Sequence, residues 1–274
     1  MRTPAPSTPS SPRLSSPPAE LPAAIKPSGL LKAAVGVVVF LALWEALPRL
    51  GVVSRIILSP PSAVVEAFFR DVPMVLGHLQ ITVAESIAAI AIAWAVGLGF
   101  GVFFGSMART SRFLMPLLES AYALPWIVLY PLAVVWLGIG STSKIAFAAV
   151  TASIPVLLTT TAAVSTVEAR GTLLARALGA SRLQMVTKVL IPFALPQVLS
   201  GLRVGAGLAV IGVVVGEMLL SLGGIGYLIS YYRSIFESGY VYLGIVLGVA
   251  LTVLVNLGME WVERRIGWWD QPAS

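Results

Sequence analysis

Six ionisable side chains stand inside long apolar stretches of this chain: Glu45, Glu85, Glu119, Arg203, Glu217 and Glu260. A charged group at the centre of a bilayer costs about 2.5–3.5 kcal/mol on insertion scales, so each one needs a partner or a task. Glu45 lies near a helix end, within reach of water, and reads as structural. Glu260 precedes Arg264 by four residues, the spacing of an ion pair on one helix face. Arg203 stands about 10 Å past a span boundary at about 1.5 Å per residue, so it can snorkel to the surface or gate a path. Glu217 is either a gate residue or a hydrogen-bonded structural acid. Glu85 and Glu119 are the carboxylates available for a coupling-ion site at mid-membrane.

The sequence offers no catalytic set. No nucleophile and base stand at a recognisable spacing. The segment Gly140-Ser141-Thr142-Ser143-Lys144 is too short for a phosphate loop and reads as an outward-facing turn. His78 is the only histidine and cysteine is absent, so no metal site is expected. His78 reads as an interfacial anchor. The chain is therefore read as non-catalytic, with no cofactor of its own.

The elements that must position these groups are membrane helices. Of 274 residues 57% are hydrophobic and 11% charged, with a mean hydropathy of +0.92, whereas soluble domains carry about 25% charged residues. The reading is an all-α integral membrane protein with about six transmembrane helices. A Pro- and Ser-rich segment, 1–28, has too little apolar surface to fold and is expected to be a disordered cytoplasmic tail. A membrane domain, 29–268, follows. Its expected spans are 30–47, 81–105, 114–137, 145–164, 197–220 and 240–262. A short amphipathic helix is expected after Ser59-Pro60-Pro61-Ser62, a loop at 108–113, and a surface or re-entrant helix within 223–239. Pro116, Pro125 and Pro131 fall in the third span and Pro155 in the fourth. Tyr122, Trp126, Tyr130 and Trp136 beside them form either a path lining or ordinary packing. Gly97, Gly101 and Gly105 let neighbouring helices approach closely, and Gly201, Gly205, Gly212 and Gly216 favour close packing, including across a dimer interface.

Charge sets the orientation. The side holding both termini and the 166–192 segment carries twelve Lys and Arg: Arg2, Arg13, Lys26, Lys32, Arg109, Arg112, Arg170, Arg176, Arg182, Lys188, Arg264 and Arg265. The other side carries five, Arg49, Arg55, Arg70, Lys144 and Arg233. The excess marks the cytoplasmic side and accounts for the net charge of +6 without a nucleic-acid partner.

The longest polar interruption of the second half is TVEARGTLLARALGASRLQMVTKVLIPFALPQVLSG, residues 166–201. Leu173, Leu174, Ala177 and Leu178 recur at helical spacing and Gly179 supplies a stop. Ser181 is placed to cap a second helix bearing Leu183, Val186 and Val189. Pro192 is expected to end that helix and Pro196 to open another. The result is a basic helical hairpin, 166–192, suited to docking.

This hairpin resembles the cytoplasmic "EAA" loop of permease subunits in binding-protein-dependent ABC importers. Ala175, Gly179, Val189, Ile191 and Pro192 carry the resemblance, and ARALGASR…VLIPFALPQVLSGLRVG is most similar to the sulfonate, taurine and nitrate branch. The motif's leading Glu falls on Leu173 and its first Ala on Leu174, a departure at the ATPase contact. The Ser59–Ser62 loop and GEMLLSLGGIGYLI also resemble the family, and the likeness covers roughly 58–268.

The resemblance implies a type I ABC importer permease fold and a pathway for a small solute. That solute would be an anion such as a sulfonate, taurine, nitrate or bicarbonate, with pyrimidine precursors close behind. It implies a bacterial inner membrane location and a homodimer. The partners would be two cytoplasmic ATPase subunits, which carry ATP and Mg, and one extracytoplasmic solute-binding protein. The coupling hairpin would use Leu173, Ala175, Arg176, Gly179, Ala180, Ser181, Arg182 and Pro192. Pathway or gate positions would be Tyr122, Pro125, Trp126, Tyr130, Arg203 and Glu217, with Glu217 also a possible binding-protein contact. The alternative is a stand-alone secondary carrier or channel, which would rely on Glu85 and Glu119.

Overall fold

Three long helices carry the fold: α3 (Val72–Gly105), α6 (Ser141–Ala177) and α8 (Ile191–Leu219). The computed structural model describes residues 27–177 and 179–266, without the side chains of 27–31, 33, 108, 168–177, 182, 183 and 186. The helices pack through small residues. A Cβ at Gly97, Gly101 or Gly105 of α3 would lie 2.6, 2.5 or 2.7 Å from Val156, Thr160 or Val164 of α6. A Cβ at Gly205 of α8 would lie 2.5 Å from Val156 and 3.0 Å from the Ala152 carbonyl. Gly212 approaches Ala148 in the same way. Without a hydrophobic driving force between helices in lipid, this close backbone approach is what van der Waals packing can use. Gly97, Gly101 and Gly105 of α3 and Gly201, Gly205 and Gly212 of α8 therefore all face α6 of the same chain. Ala89, Ala93, Ala148, Ala149, Ala152, Ala209 and Val213 fill the layer between the three helices.

Around this core stand α2 (Pro61–Arg70), α4 (Ala108–Tyr122), α5 (Tyr130–Leu137), α7 (Arg182–Met185), α9 (Ile225–Ser234) and α10 (Ser238–Ile266). Among the described residues four helices are long and apolar enough to cross a membrane: α3, α6, α8 and α10. The segments Arg109–Tyr122 and Trp126–Leu137 pass the same test only as a pair and meet at 80°, the geometry of a broken span or a re-entrant loop. The third expected span is thus not one straight helix. Pro125, which has no N–H to continue a helix, precedes a 3-10 turn at Trp126–Leu129. The expected loop at 108–113 is helical and opens α4.

The first expected span lies within α1 (Pro27–Arg49), whose residues up to Trp44 form a unit of their own. Within it, Phe40 and Trp44 pack ring on ring. The expected tail, 1–28, lies outside the described residues apart from the two that open α1. Beyond Trp44, Glu45 accepts from the Ser62 N–H at 3.0 Å and the Ser62 hydroxyl at 2.7 Å, and pairs with Arg49. It therefore supplies α2 with the N-terminal acceptor that Pro60 lacks. The amphipathic α2 begins where the Ser-Pro-Pro-Ser segment predicts, burying Val64 and Ala67 against Leu228, Tyr240 and Leu243.

Candidate functional site: a hairpin, a cavity and a buried polar joint

The hairpin grows directly out of a membrane helix. α6 does not stop at 164 but runs 37 residues to Ala177, about 55 Å at about 1.5 Å per residue. Gly179 then takes φ +76°, a left-handed conformation that favours glycine. Ser181 and Gln184 cap α7 reciprocally: the Ser181 N–H donates to Gln184 Oε1 at 3.0 Å, and the Gln184 N–H to Ser181 Oγ at 3.3 Å. The expected cap is present, and Gln184 completes it. Five π-helical residues, Val186–Leu190, lead into α8. Pro192 starts α8 rather than ending a helix, because a first-turn proline loses no hydrogen bond; Pro196 lies inside α8 rather than opening a helix. Leu173, Ala175, Arg176 and Arg182 lie on the hairpin backbone with side chains outside the described set, while Ala180 and Ser181 sit at the turn.

Near the bend between α4 and α5 lies an open cavity of about 350 Å³, lined by Tyr122, Leu124, Trp126, Phe147, Thr151 and Leu208, among others. Trp126 Nε1 donates to the Ala121 carbonyl at 2.7 Å, which fixes the indole. Tyr130 does not line the cavity. It is fully buried, edge-on to Phe147 with centroids 5.2 Å apart, its hydroxyl 3.3 Å from the Leu220 carbonyl. No charged side chain lines the cavity among the described residues. Arg203 is elsewhere, half-exposed and 3.4 Å from Glu263 Oε2, a pairing that sequence periodicity did not signal. Glu260 pairs with Arg264 at 2.6 Å, as its spacing predicts.

The largest surprise lies at the opposite end of the bundle from the hairpin. Lys144 belongs to the first turn of α6 and is 3% exposed. Its ammonium sits 2.7 Å from Glu85 Oε1 and donates to Ser221 Oγ at 2.9 Å. Glu85, one of two carboxylates proposed for a coupling ion, therefore has a fixed cation as its partner; Glu119 is exposed. Glu217, 1% exposed, accepts from the Thr82 hydroxyl at 2.8 Å and from the Gly226 N–H at 2.9 Å. The Glu217 carboxylate thus finds its hydrogen-bond donors within the bundle. His78 Nδ1 accepts from the Gly224 N–H at 3.1 Å, and its ring packs on Tyr227.

Known proteins place this architecture. Residues 95–268 match the family described as binding-protein-dependent transport system inner membrane component. A Bacillus subtilis permease assigned to aliphatic sulfonates transport, SsuC, is 31% identical over 88% of each chain. The taurine transport system permease protein TauC of Escherichia coli is 29% identical over 84% of this chain and 86% of its own. A solved structure of the MetNI methionine ABC transporter, at 22% identity, covers 70% of this chain and 96% of its own with a TM-score of 0.61, a likeness of fold. The chain belongs to the binding-protein-dependent inner membrane component family. It is an all-α transmembrane permease subunit of an ABC importer, with the type I permease fold, and forms the translocation pathway.

Proposed function

We propose that two copies of this chain form a pathway for a small organic anion of the sulfonate class, taurine included. Two cytoplasmic ATPase subunits would drive it and an extracytoplasmic binding protein would feed it. The observation that carries this reading is the hairpin: a glycine turn with a reciprocal cap, at the end of one 37-residue helix. A load applied at Gly179 and Ser181 acts on the whole length of α6. The Lys and Arg excess favours an inner membrane orientation with hairpin and termini in the cytoplasm. ATP and Mg belong to the partner ATPase. Its closure would move the hairpins, rock the bundles outward and admit substrate, and hydrolysis would reset them.

The substrate class rests on the sulfonate and taurine relatives. The cavity lining of rings, apolar side chains and Thr151 contains no counter-ion, so selectivity is assigned to the binding protein and the path supplies passage. Tyr122 and Trp126 are its contact residues, and Pro125 holds the bend that opens it.

The test is ATPase activity of the complex in lipid with its ATPase and binding protein, across sulfonates, nitrate, bicarbonate and pyrimidines. Stimulation by sulfonate-loaded binding protein is expected; stimulation by a heterocycle alone overturns the substrate class. Orientation has its own test, because the chain is cysteine-free. Ala180→Cys should react with an impermeant maleimide from the cytoplasmic side alone.

A further inference from the structure

The start of α9 has no cap of its own. Gly224 is its N-cap, with φ +100° and no side chain. A helix start leaves N–H groups without intrahelical partners. Here successive groups are met by side chains from two membrane helices. The Gly224 N–H donates to His78 Nδ1 of α3 at 3.1 Å, the Ile225 N–H to Thr82 Oγ1 of α3 at 2.8 Å, and the Gly226 N–H to Glu217 Oε2 of α8 at 2.9 Å. The Thr82 hydroxyl in turn donates to Glu217, closing the network. Further along α9, Ser230 Oγ donates to the Met218 carbonyl of α8 at 2.7 Å. The joint needs room as well as acceptors. A Cβ at Gly226 would lie 2.6 Å from Glu217 Cβ and 2.8 Å from the Met218 nitrogen, so α9 meets α8 almost backbone to backbone.

We propose that His78, Thr82 and Glu217 are positioning residues that lock α9 to α3 and α8, so that a load on α9 moves the core helices. The inference rests on the proposed assembly with an ATPase and a binding protein. α9 and its flanks present Leu222, Tyr231 and Phe236 outward, at 88%, 47% and 72% exposure, at the end opposite the hairpin. α3 and α8 are both packed glycine-to-side-chain against α6, which ends in the hairpin. A directional joint at the head of α9 thus completes a continuous rigid connection from one end of the bundle to the other. An apolar joint would bury area equally well but would leave the α9 N–H groups unmet. Coupling of this kind requires discrete, well-packed elements, and the network links the head of α9 to two of them.

The test separates docking-driven from basal turnover. In the reconstituted complex, Thr82→Val should keep basal ATPase within about twofold of wild type. Binding-protein stimulation should fall about fivefold or more, the lower bound of ordinary coupling factors. Thr82→Ser, which keeps the hydroxyl, should retain stimulation. Full stimulation in Thr82→Val overturns the inference. Where Thr82→Val does not assemble, His78→Leu at its half-buried position makes the same cut: lost stimulation supports the joint and full stimulation refutes it. A wild-type chain that associates with no ATPase would instead sink the importer assembly, a distinct result.

Discussion

Replacing Lys144 by methionine should destabilise the permease far more than replacing Lys144 and Glu85 together. The ammonium and carboxylate sit 2.7 Å apart with side chains 3% and 4% exposed. At an effective dielectric of about 20 their attraction is about 6 kcal/mol. Most of that offsets desolvation, because removing two ions from water costs several kcal/mol each. Lys144→Met keeps the aliphatic stem but leaves Glu85 charged and buried, and its Oε2 has no other donor among the described residues. Breaking one side of such a pair costs about 3–5 kcal/mol. For a chain of this size that corresponds to a melting midpoint lower by roughly 6–20 °C. The double variant Glu85→Leu/Lys144→Met removes both charges and should lie within about 1 kcal/mol of wild type, or above it. Thermal unfolding of the two variants in the same lipid measures the difference. Equal midpoints for single and double variants would refute the reasoning. ATP-driven uptake adds a second readout. The double variant should transport, because Glu85 is assigned a structural role; abolished uptake at wild-type stability would return Glu85 to the list of functional carboxylates.

Other perturbations test other parts of the molecule. Gly205→Leu forces a side chain into Val156 and the Ala152 carbonyl, and should cost about 1–3 kcal/mol or more through overpacking, read as a lower midpoint and poorer membrane yield. Gly179→Asp places a Cβ at φ +76° in the hairpin turn and should leave ATP hydrolysis running while uptake falls; normal coupling in that variant would refute the lever assignment. Glu217→Gln offers one acceptor oxygen where the carboxylate offers two, weakening charge-assisted bonds worth about 1.5–3 kcal/mol. It should lower uptake at unchanged assembly, and equal uptake at equal expression would count against the joint.

The sequence made some of this legible because the signals are local. The stop at Gly179, the cap at Ser181, the start of α2 after two prolines and the pairing of Glu260 with Arg264 each depend on residues within about one helical turn. The apolar runs gave the long helices, though not their ends: α6 outran its apolar stretch because Thr166 to Ala177 remains compatible with a helix once the core half is packed. The break near Pro125 was ambiguous because Pro116, Pro125 and Pro131 all fall in one apolar run, and only one of them sits at the bend. The polar joint was out of reach. Thr82 and Glu217 are 135 residues apart, and no periodicity connects a threonine on one helix with a carboxylate on another. The same holds for Lys144, which adjacent Ser and Thr residues disguised as part of a turn. The direction in which the small-residue stripes face was likewise undetermined, since a glycine row allows close approach without naming the neighbour.

The most direct test of the account is solute uptake into proteoliposomes containing this chain, first alone under imposed proton and sodium gradients and then with its ATPase and binding protein under ATP. The account predicts no gradient-driven uptake by the chain alone and ATP-dependent uptake only when both partners are present. Gradient-driven uptake by this chain alone, unaffected by ATP or by the partners, would contradict it.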